Sequence, residues 1–348
     1  MSADAFFRMG ATHAICQDYA IAGDWFGQSC AILSDGCSGA DENGRAHESA
    51  SGAPFTDWGA RLLVQAARDR LGPISEGCFS TQSIVQAAFA RAHVLGLPTS
   101  ALDATLLVAV AAEGGGVQVF STADGVVAWR ERSGRIRYES IRFARGMPRY
   151  LRYYLDPDRH ARLYEERGAS DDLLAGTLEV TSNVWTPREG WGPQLLRQST
   201  FTDTTPFWRS LYFPNGSEDA RNFEFPPVDV VALFSDGVES FQDGDLRPVP
   251  LETVIVELLA LKNLHGSFVR RRCTKFLDKV CAKNGWRHAD DFSMAAVAFE
   301  ESPPATATGD HHPRASEGSG DPGYRLQVTT TPEPRKDTST PSSRKALG

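Results

Sequence analysis

The chain has 348 residues, of which 41% are hydrophobic and 23% charged, with 44 acidic against 36 basic side chains for a net charge of −8. This is the composition of an ordinary globular protein with enough length for a substantial core, and the lack of a long basic block argues against a nucleic-acid partner. The opening MSADAFFRMGATH lacks the basic segment and apolar centre of a secretory leader. The longest apolar run, 106–112, is far too short to cross a bilayer, so no membrane association and a cytoplasmic location are expected. The 6 cysteines form neither C-x-x-C pairs nor a regular spacing, which fits buried thiols in a reducing compartment.

In chain order, residues 29–33 read as a buried strand that ends in Ser34-Asp35-Gly36. A helix follows, with Trp58, Leu62, Leu63, Ala66, Ala67 and Leu71 on one face. A second helix carries Ile84, Val85, Ala88, Phe89, Ala92 and Leu95 behind an N-cap at Ser80. Residues 104–112 and 117–121 read as strands joined by the Gly114-Gly115-Gly116 turn, and 126–129 and 135–143 as two more. The stretch 145–225 is rich in Arg, Tyr, Trp, Pro and Gly with few clean periods, and reads as a lid or insertion. Another buried strand, 228–234, ends in Ser235-Asp236-Gly237; helices over 251–261 and 266–283 and a last strand over 292–299 follow. From 301 to 348 the chain is Pro, Ser, Thr, Gly and charge, a tail expected to be disordered. Hairpin-linked strands with paired helices before and after them favour stacked antiparallel sheets covered by helices over a doubly wound parallel sheet.

The two segments Ala31-Ile-Leu-Ser-Asp-Gly36 and Ala232-Leu-Phe-Ser-Asp-Gly237 are near duplicates. Each sets an aspartate and a glycine at the end of a buried strand, where a carboxylate beside an accessible carbonyl is a good partial site for a hard cation. Asp18, Asp124 in Ala123-Asp124-Gly125, and the pair Asp290-Asp291 occupy similar settings. A single Asp-Gly after a strand is a common turn; the repeated pattern is harder to dismiss.

In order along residues 8–300, Cys16-Gln17-Asp18, Ser34-Asp35-Gly36, Thr122-Ala123-Asp124-Gly125, Phe234-Ser235-Asp236-Gly237 and Asp290-Asp291-Phe292-Ser293 resemble the motifs of the type 2C metal-dependent serine/threonine protein phosphatases, as a divergent, bacterial-like member. The resemblance implies an α+β fold, a four-layer α-β-β-α sandwich of two mostly antiparallel sheets flanked by helices. It implies a catalytic domain over 1–300, followed by the 301–348 tail. By the same resemblance Asp35 bridges two Mn²⁺ or Mg²⁺ ions with the Gly36 carbonyl on one of them. Asp236 and Asp290 complete the other, Asp18 serves the second, and Asp124 marks a looser third position. The implied activity is hydrolysis of phosphoserine and phosphothreonine in proteins by a metal-activated water, in a monomer that works opposite a cognate Ser/Thr kinase.

The chain departs from the family at three places. Gln17 stands where Glu is frequent. His13 stands where an Arg grips substrate phosphate, so that grip becomes conditional on protonation. Cys37 replaces a His that in several members protonates the leaving group, which leaves His13, His47 or a metal-held water for that role. A different chemistry is raised by Cys281 and Arg287, which match C-x₅-R, although Cys281 falls at a helix end and not at a helix start. The rival from another class is a catalytically weak or inactive phosphatase-fold module that binds phosphoproteins or regulates a partner.

Overall fold

Strands buried on both faces must place alternate residues in different surroundings, and the central strands of this chain do so. The computed structural model describes residues 1–37, 56–71, 80–111, 116–143, 150–156, 177–185, 197–202, 209–213 and 227–299. The tail over 301–348, His47 and the start of the Gly114-Gly115-Gly116 turn lie outside the described residues. The strands are β1 (Ser2–Arg8), β2 (Tyr19–Trp25), β3 (Gln28–Ser34), β4 (Leu106–Ala111), β5 (Val117–Thr122), β6 (Gly125–Glu131) and β7 (Ile136–Phe143). They continue with β8 (Thr177–Trp185), β9 (Arg197–Thr202), β10 (Arg209–Phe213), β11 (Val228–Phe234), β12 (Phe241–Gln242), β13 (Arg287–His288) and β14 (Phe292–Ala298). A seven-stranded sheet has the order β1-β14-β11-β6-β7-β8-β9, a five-stranded sheet the order β10-β5-β4-β3-β2, and every pairing in both is antiparallel.

The helices are α1 (Thr56–Arg70), α2 (Thr81–Val94), α3 (Leu251–Leu259) and α4 (Phe268–Lys275). Beyond Lys275, α4 widens into a π-helical turn, Phe276–Cys281, and ends at Asn284 before the left-handed Gly285. Ser80 caps α2 by accepting from Ser83 N. In β4, Leu106, Val108 and Val110 pack with α1 and α2, while Leu107 and Ala109 face the other sheet. In β11, Val230, Ala232 and Phe234 pack with α3 and α4, while Val231 and Leu233 join the layer between the sheets. The result is helices, sheet, sheet, helices: the α-β-β-α sandwich. Burying one large apolar side chain contributes about 1.5–3 kcal/mol, and these alternations bury such side chains in three successive layers.

Several details differ from the sequence reading. Trp58, Phe89 and Leu95 are exposed at 48%, 38% and 52%, because they lie outside the packed face, which is formed by Leu62, Leu63, Ala66, Ala67, Ile84, Val85, Ala88 and Ala92. The edge strands β1 and β2 have no buried-run signature and were not read from sequence. Within 145–225, β8 and β9 extend the larger sheet and β10 the smaller one. Among the described residues, no helix is long and apolar enough to cross a membrane.

One more part of 145–225 is tied down firmly. A short 3₁₀ turn, Leu151–Tyr154, buries Leu151 among the α1 and α2 side chains and pairs Arg152 with Asp103, the two side chains 3% and 8% exposed. The guanidinium makes a two-pronged contact, Nε to Oδ1 and Nη2 to Oδ2, the latter at 3.1 Å. Removing one partner of such a pair strands a buried charge. Arg152→Met should therefore lower the unfolding free energy in urea by about 3–5 kcal/mol. A change below about 1 kcal/mol would show that the pair holds nothing in place.

Candidate active site

The two Ser-Asp-Gly segments leave matching strand ends but take different local structures. After β3, the chain stays extended: Ser34 Oγ donates to Thr105 O, Asp35 N donates to Thr105 Oγ1 at 3.0 Å, and Thr105 N returns to Asp35 O at 2.8 Å. Cys37 N then donates to Asp103 O at 2.9 Å, so that Gly36 and Ala104 form an isolated antiparallel bridge. Since the flanking residues make that bridge's hydrogen bonds, Gly36 turns its own polar groups the other way; its N–H donates to Gln17 O at 3.3 Å. After β11 the chain instead curls into a 3₁₀ turn, Asp236–Glu239. Gly237 is required there by close approach: a Cβ on it would sit 1.6 Å from Asp291 O.

A third arm, the loop from Met9 to Asp18, is held by Asp291. This carboxylate is 2% exposed and accepts from Gly10 N at 2.7 Å and from Gln17 N at 2.5 Å, closing both ends of the loop. Asp18 is thereby delivered to the first two arms. Its Oδ2 accepts from Ser235 Oγ at 2.7 Å, and Ser235 Oγ in turn receives Ser293 N at 3.0 Å. The two serines of the near duplicate thus have unlike partners: Ser34 ties β3 to the start of β4, and Ser235 orients Asp18.

The carboxylates that meet here are a chain of contacts. Asp18 touches Asp35, and Asp35 touches Asp236. Burial, outweighing the hydroxyls of Ser235 and Ser293, pushes Asp18 up to about 7. Burial and then the charges of Asp18 and Asp236 hold Asp35 well above the usual carboxylate range. Asp236 is raised by burial and by the charges of Asp290 and Glu239. Asp124 lies in the two-residue link that carries the chain from β5 in one sheet to β6 in the other, and burial followed by the charges of Asp236 and Glu239 pushes it to about 7. Ala123 in that link has φ 63°, a left-handed conformation that costs a non-glycine residue roughly 1 kcal/mol or more. Asp290 belongs to the same rim, within charge range of Asp236.

Two ionised carboxylates cannot hydrogen-bond each other; a proton or a cation must stand between them. Asp18 Oδ1 is buried with no hydrogen-bond partner, and the donor set is all oxygen, which suits a hard divalent ion. Among the described residues, no three His, Cys, Asp or Glu side chains are arranged about one point as a finished metal cage. The carboxylate contacts run pairwise along Asp18, Asp35 and Asp236. Mg²⁺ and Mn²⁺ retain several waters and need few direct protein ligands, so this pairwise row fits them.

His13 has both ring nitrogens against carboxylates, Nε2 at 3.3 Å from Asp290 Oδ1 and Nδ1 at 3.0 Å from Asp291 Oδ2. Burial alone would lower its pKa, but contact with Asp291 and the charges of Asp291, Asp290 and Asp18 outweigh burial and raise it. The ring therefore faces Asp291, which holds the third arm, and its neighbour Asp290. Cys37 packs beside Tyr150, Tyr153 and Ala123. Cys281 is buried in the π-helical turn with its thiol pushed up to about 12 by burial, and Arg287 is exposed on β13, so the C-x₅-R match forms no phosphate loop.

Sequence reasoning named Asp291 without a role and missed Glu239, Asp103, Thr105, Tyr150 and Arg152. Glu239 had a faint signal, one 3₁₀ turn after Asp236, and is held by Ser140 Oγ at 2.6 Å and by Arg142 from β7. Tyr150 and Arg152 lie where no periodicity marks them.

No protein-family model and no curated protein matches the chain. Solved structures of bacterial serine/threonine phosphatases match it across most of its length at low identity. A bacterial serine phosphatase is 13% identical with a TM-score of 0.46, over 86% of this chain and 98% of that one. The serine/threonine phosphatase Stp1 from Staphylococcus aureus is 13% identical, with a TM-score of 0.44 over 86% and 95%. The PPM Ser-Thr phosphatase MsPP from Mycobacterium smegmatis, in complex with cacodylate, is 17% identical, with a TM-score of 0.40 over 86% and 99%.

The raised carboxyls have a consequence for stability. An acid whose folded pKa exceeds its unfolded value binds more protons when folded, so stability falls as pH rises between the two values and levels off above them. For Asp18 and Asp124 that window runs from 3.8 to about 7. With divalent ions chelated, the protein should melt at a lower temperature at pH 7.5 than at pH 5, and Asp18→Asn should shrink that difference. A melting temperature that rises over this interval, with the same slope in Asp18→Asn, would contradict the cluster's electrostatics.

Proposed function

We propose that the chain is a metal-dependent protein serine/threonine phosphatase. The observation that carries this reading is the Asp18–Asp35–Asp236 contact row at the ends of strands from both sheets, which runs from buried Asp18, with its unpartnered Oδ1, through half-buried Asp35 to exposed Asp236. Asp18, Asp35, the Gly36 carbonyl, Asp236 and Asp290 would hold two Mn²⁺ or Mg²⁺ ions, with Asp124 at a third, looser position. When bound, such ions supply Lewis-acid charge for a phosphoryl group and make water more acidic. Around them the chain's own residues do positioning work: Ser235 fixes the Asp18 carboxylate, Thr105 fixes the Asp35 backbone, and Asp291 closes the loop that presents Asp18. His13 steadies Asp290 and Asp291 and, by turning its ring, would offer a cationic N–H to phosphate.

The substrate class in this reading is phosphoserine or phosphothreonine in a protein, counter to a kinase, in the cytoplasm and as a monomer. The catalytic domain would span 1–300, with 145–225 an elaboration of it and 301–348 a separate tail. A second reading, a phosphoprotein-binding module that keeps the fold, is favoured by one observation: His13 Nε2 stands 3.3 Å from Asp290 Oδ1, where a protonated ring would neutralise a carboxylate that a metal ion would otherwise neutralise.

Turnover of an aryl phosphate and of a phosphothreonine peptide, measured with and without Mn²⁺, separates the two. Metal-dependent hydrolysis is expected in the wild type. Loss of supporting partners alone costs roughly ten- to a hundredfold at metal sites, so Asp236→Asn should lower kcat/KM at least about a hundredfold. Phosphopeptide binding without turnover under any metal would move the conclusion to the binding module.

A further inference from the structure

We propose that Tyr150 is a phosphate-contacting residue whose hydroxyl donates to a phosphoryl oxygen held over the carboxylate row, an inference that rests on the phosphatase reading. Tyr150 immediately precedes the Leu151–Tyr154 turn and is 8% exposed. Its ring lies 6.0 Å from that of Tyr153 and packs with Ala123, next to Asp124, and with Cys37, next to Gly36. Its hydroxyl hydrogen-bonds the Cys37 thiol and lies within charge range of both Asp124 and Asp35. The phenol therefore reaches the gap between the arm that follows β3 and the link between the sheets.

The placement is fixed from two sides. Two residues on, Arg152 is locked to Asp103, and the Asp103 carbonyl accepts from Cys37 N at 2.9 Å, so one buried ion pair sets both members of the Tyr150–Cys37 contact. Leu151 between them is fully buried in the helix-facing core.

A phosphate approaching a row of carboxylates needs hydrogen-bond donors, and nearby donors have other work. Ser235 gives its proton to Asp18 and Ser240 gives its proton to Gly237 O, while His13 would reach phosphate only by turning away from Asp290 and Asp291. The Tyr150 hydroxyl is directed at sulfur, a weak acceptor. An anionic phosphoryl oxygen is a much stronger one, so exchanging the thiol for substrate is favourable without moving the ring far.

The test is calorimetric titration of the full chain with inorganic phosphate in the presence of Mn²⁺, with turnover measured on the same samples. Tyr150→Phe removes only the hydroxyl and should weaken phosphate binding roughly ten- to a hundredfold while its melting temperature stays near the wild type. Equal affinity in wild type and Tyr150→Phe overturns the contact, and so does a wild type that binds no phosphate. If Tyr150→Phe fails to fold, Cys37→Ser gives the phenol a better acceptor and should weaken phosphate binding; unchanged or tighter binding overturns the proposal. Wild-type turnover with unchanged phosphate affinity in Tyr150→Phe sinks the contact and leaves the phosphatase reading standing. Phosphate affinity lost in Tyr150→Phe, with no turnover in the wild type, keeps the contact and removes the hydrolase.

Discussion

Like charge brought into contact, from a buried carboxylate outward to the surface, is the constraint on which the rest of this molecule turns. Asp18, Asp35 and Asp236 are pressed into contact at the ends of strands whose other residues are apolar and buried. Nothing in their own chemistry favours this, since each carboxylate would be better solvated apart. The apolar layers on both sides of the two sheets hold them there. The fold stores the electrostatic cost, which shared protons or a divalent cation would relieve.

The geometry follows from the sandwich. Strand β3 lies in the smaller sheet and β11 in the larger, and Asp35, one residue beyond the first, meets Asp236, two residues beyond the second. The chain crosses between the sheets at Ala123-Asp124, which adds a carboxylate to the same end. Asp291 then fastens the N-terminal loop onto the last strand's entry and brings Asp18 in. Gly237 and Gly10 make the close packing possible, both standing where a Cβ would strike the backbone of the Asp290-Asp291 segment. The near duplication of Ser-Asp-Gly therefore reflects similar strand ends and not similar local structures. One continues extended toward β4; the other turns at once.

What the sequence revealed and what it hid divide along the range of the interactions. Strands β3, β4, β11 and β14 were legible because burial on both faces writes an unbroken apolar run, and α1 and α2 because burial on one face writes a helical period. Edge strands β1 and β2 carry neither signature. The aspartates stood out by their places at strand ends. Their supporting residues did not, because a hydrogen bond from Ser235 to Asp18 or an ion pair from Arg152 to Asp103 joins positions far apart in the chain and leaves no local mark. The orientation of His13 was hidden for the same reason: its position is read from one motif, its partners from another at the opposite end of the domain.

The central claim is that a divalent ion takes the place of shared protons among these carboxylates. It is tested most directly by titrating the chelator-treated protein with Mn²⁺ at pH 6 by calorimetry, in buffers of different ionisation heat. Binding should be accompanied by net proton release, because Asp18 and Asp124, pushed up to about 7, hold protons at that pH and must lose them to a metal. Absence of Mn²⁺ binding, or binding whose heat is independent of the buffer, would contradict it.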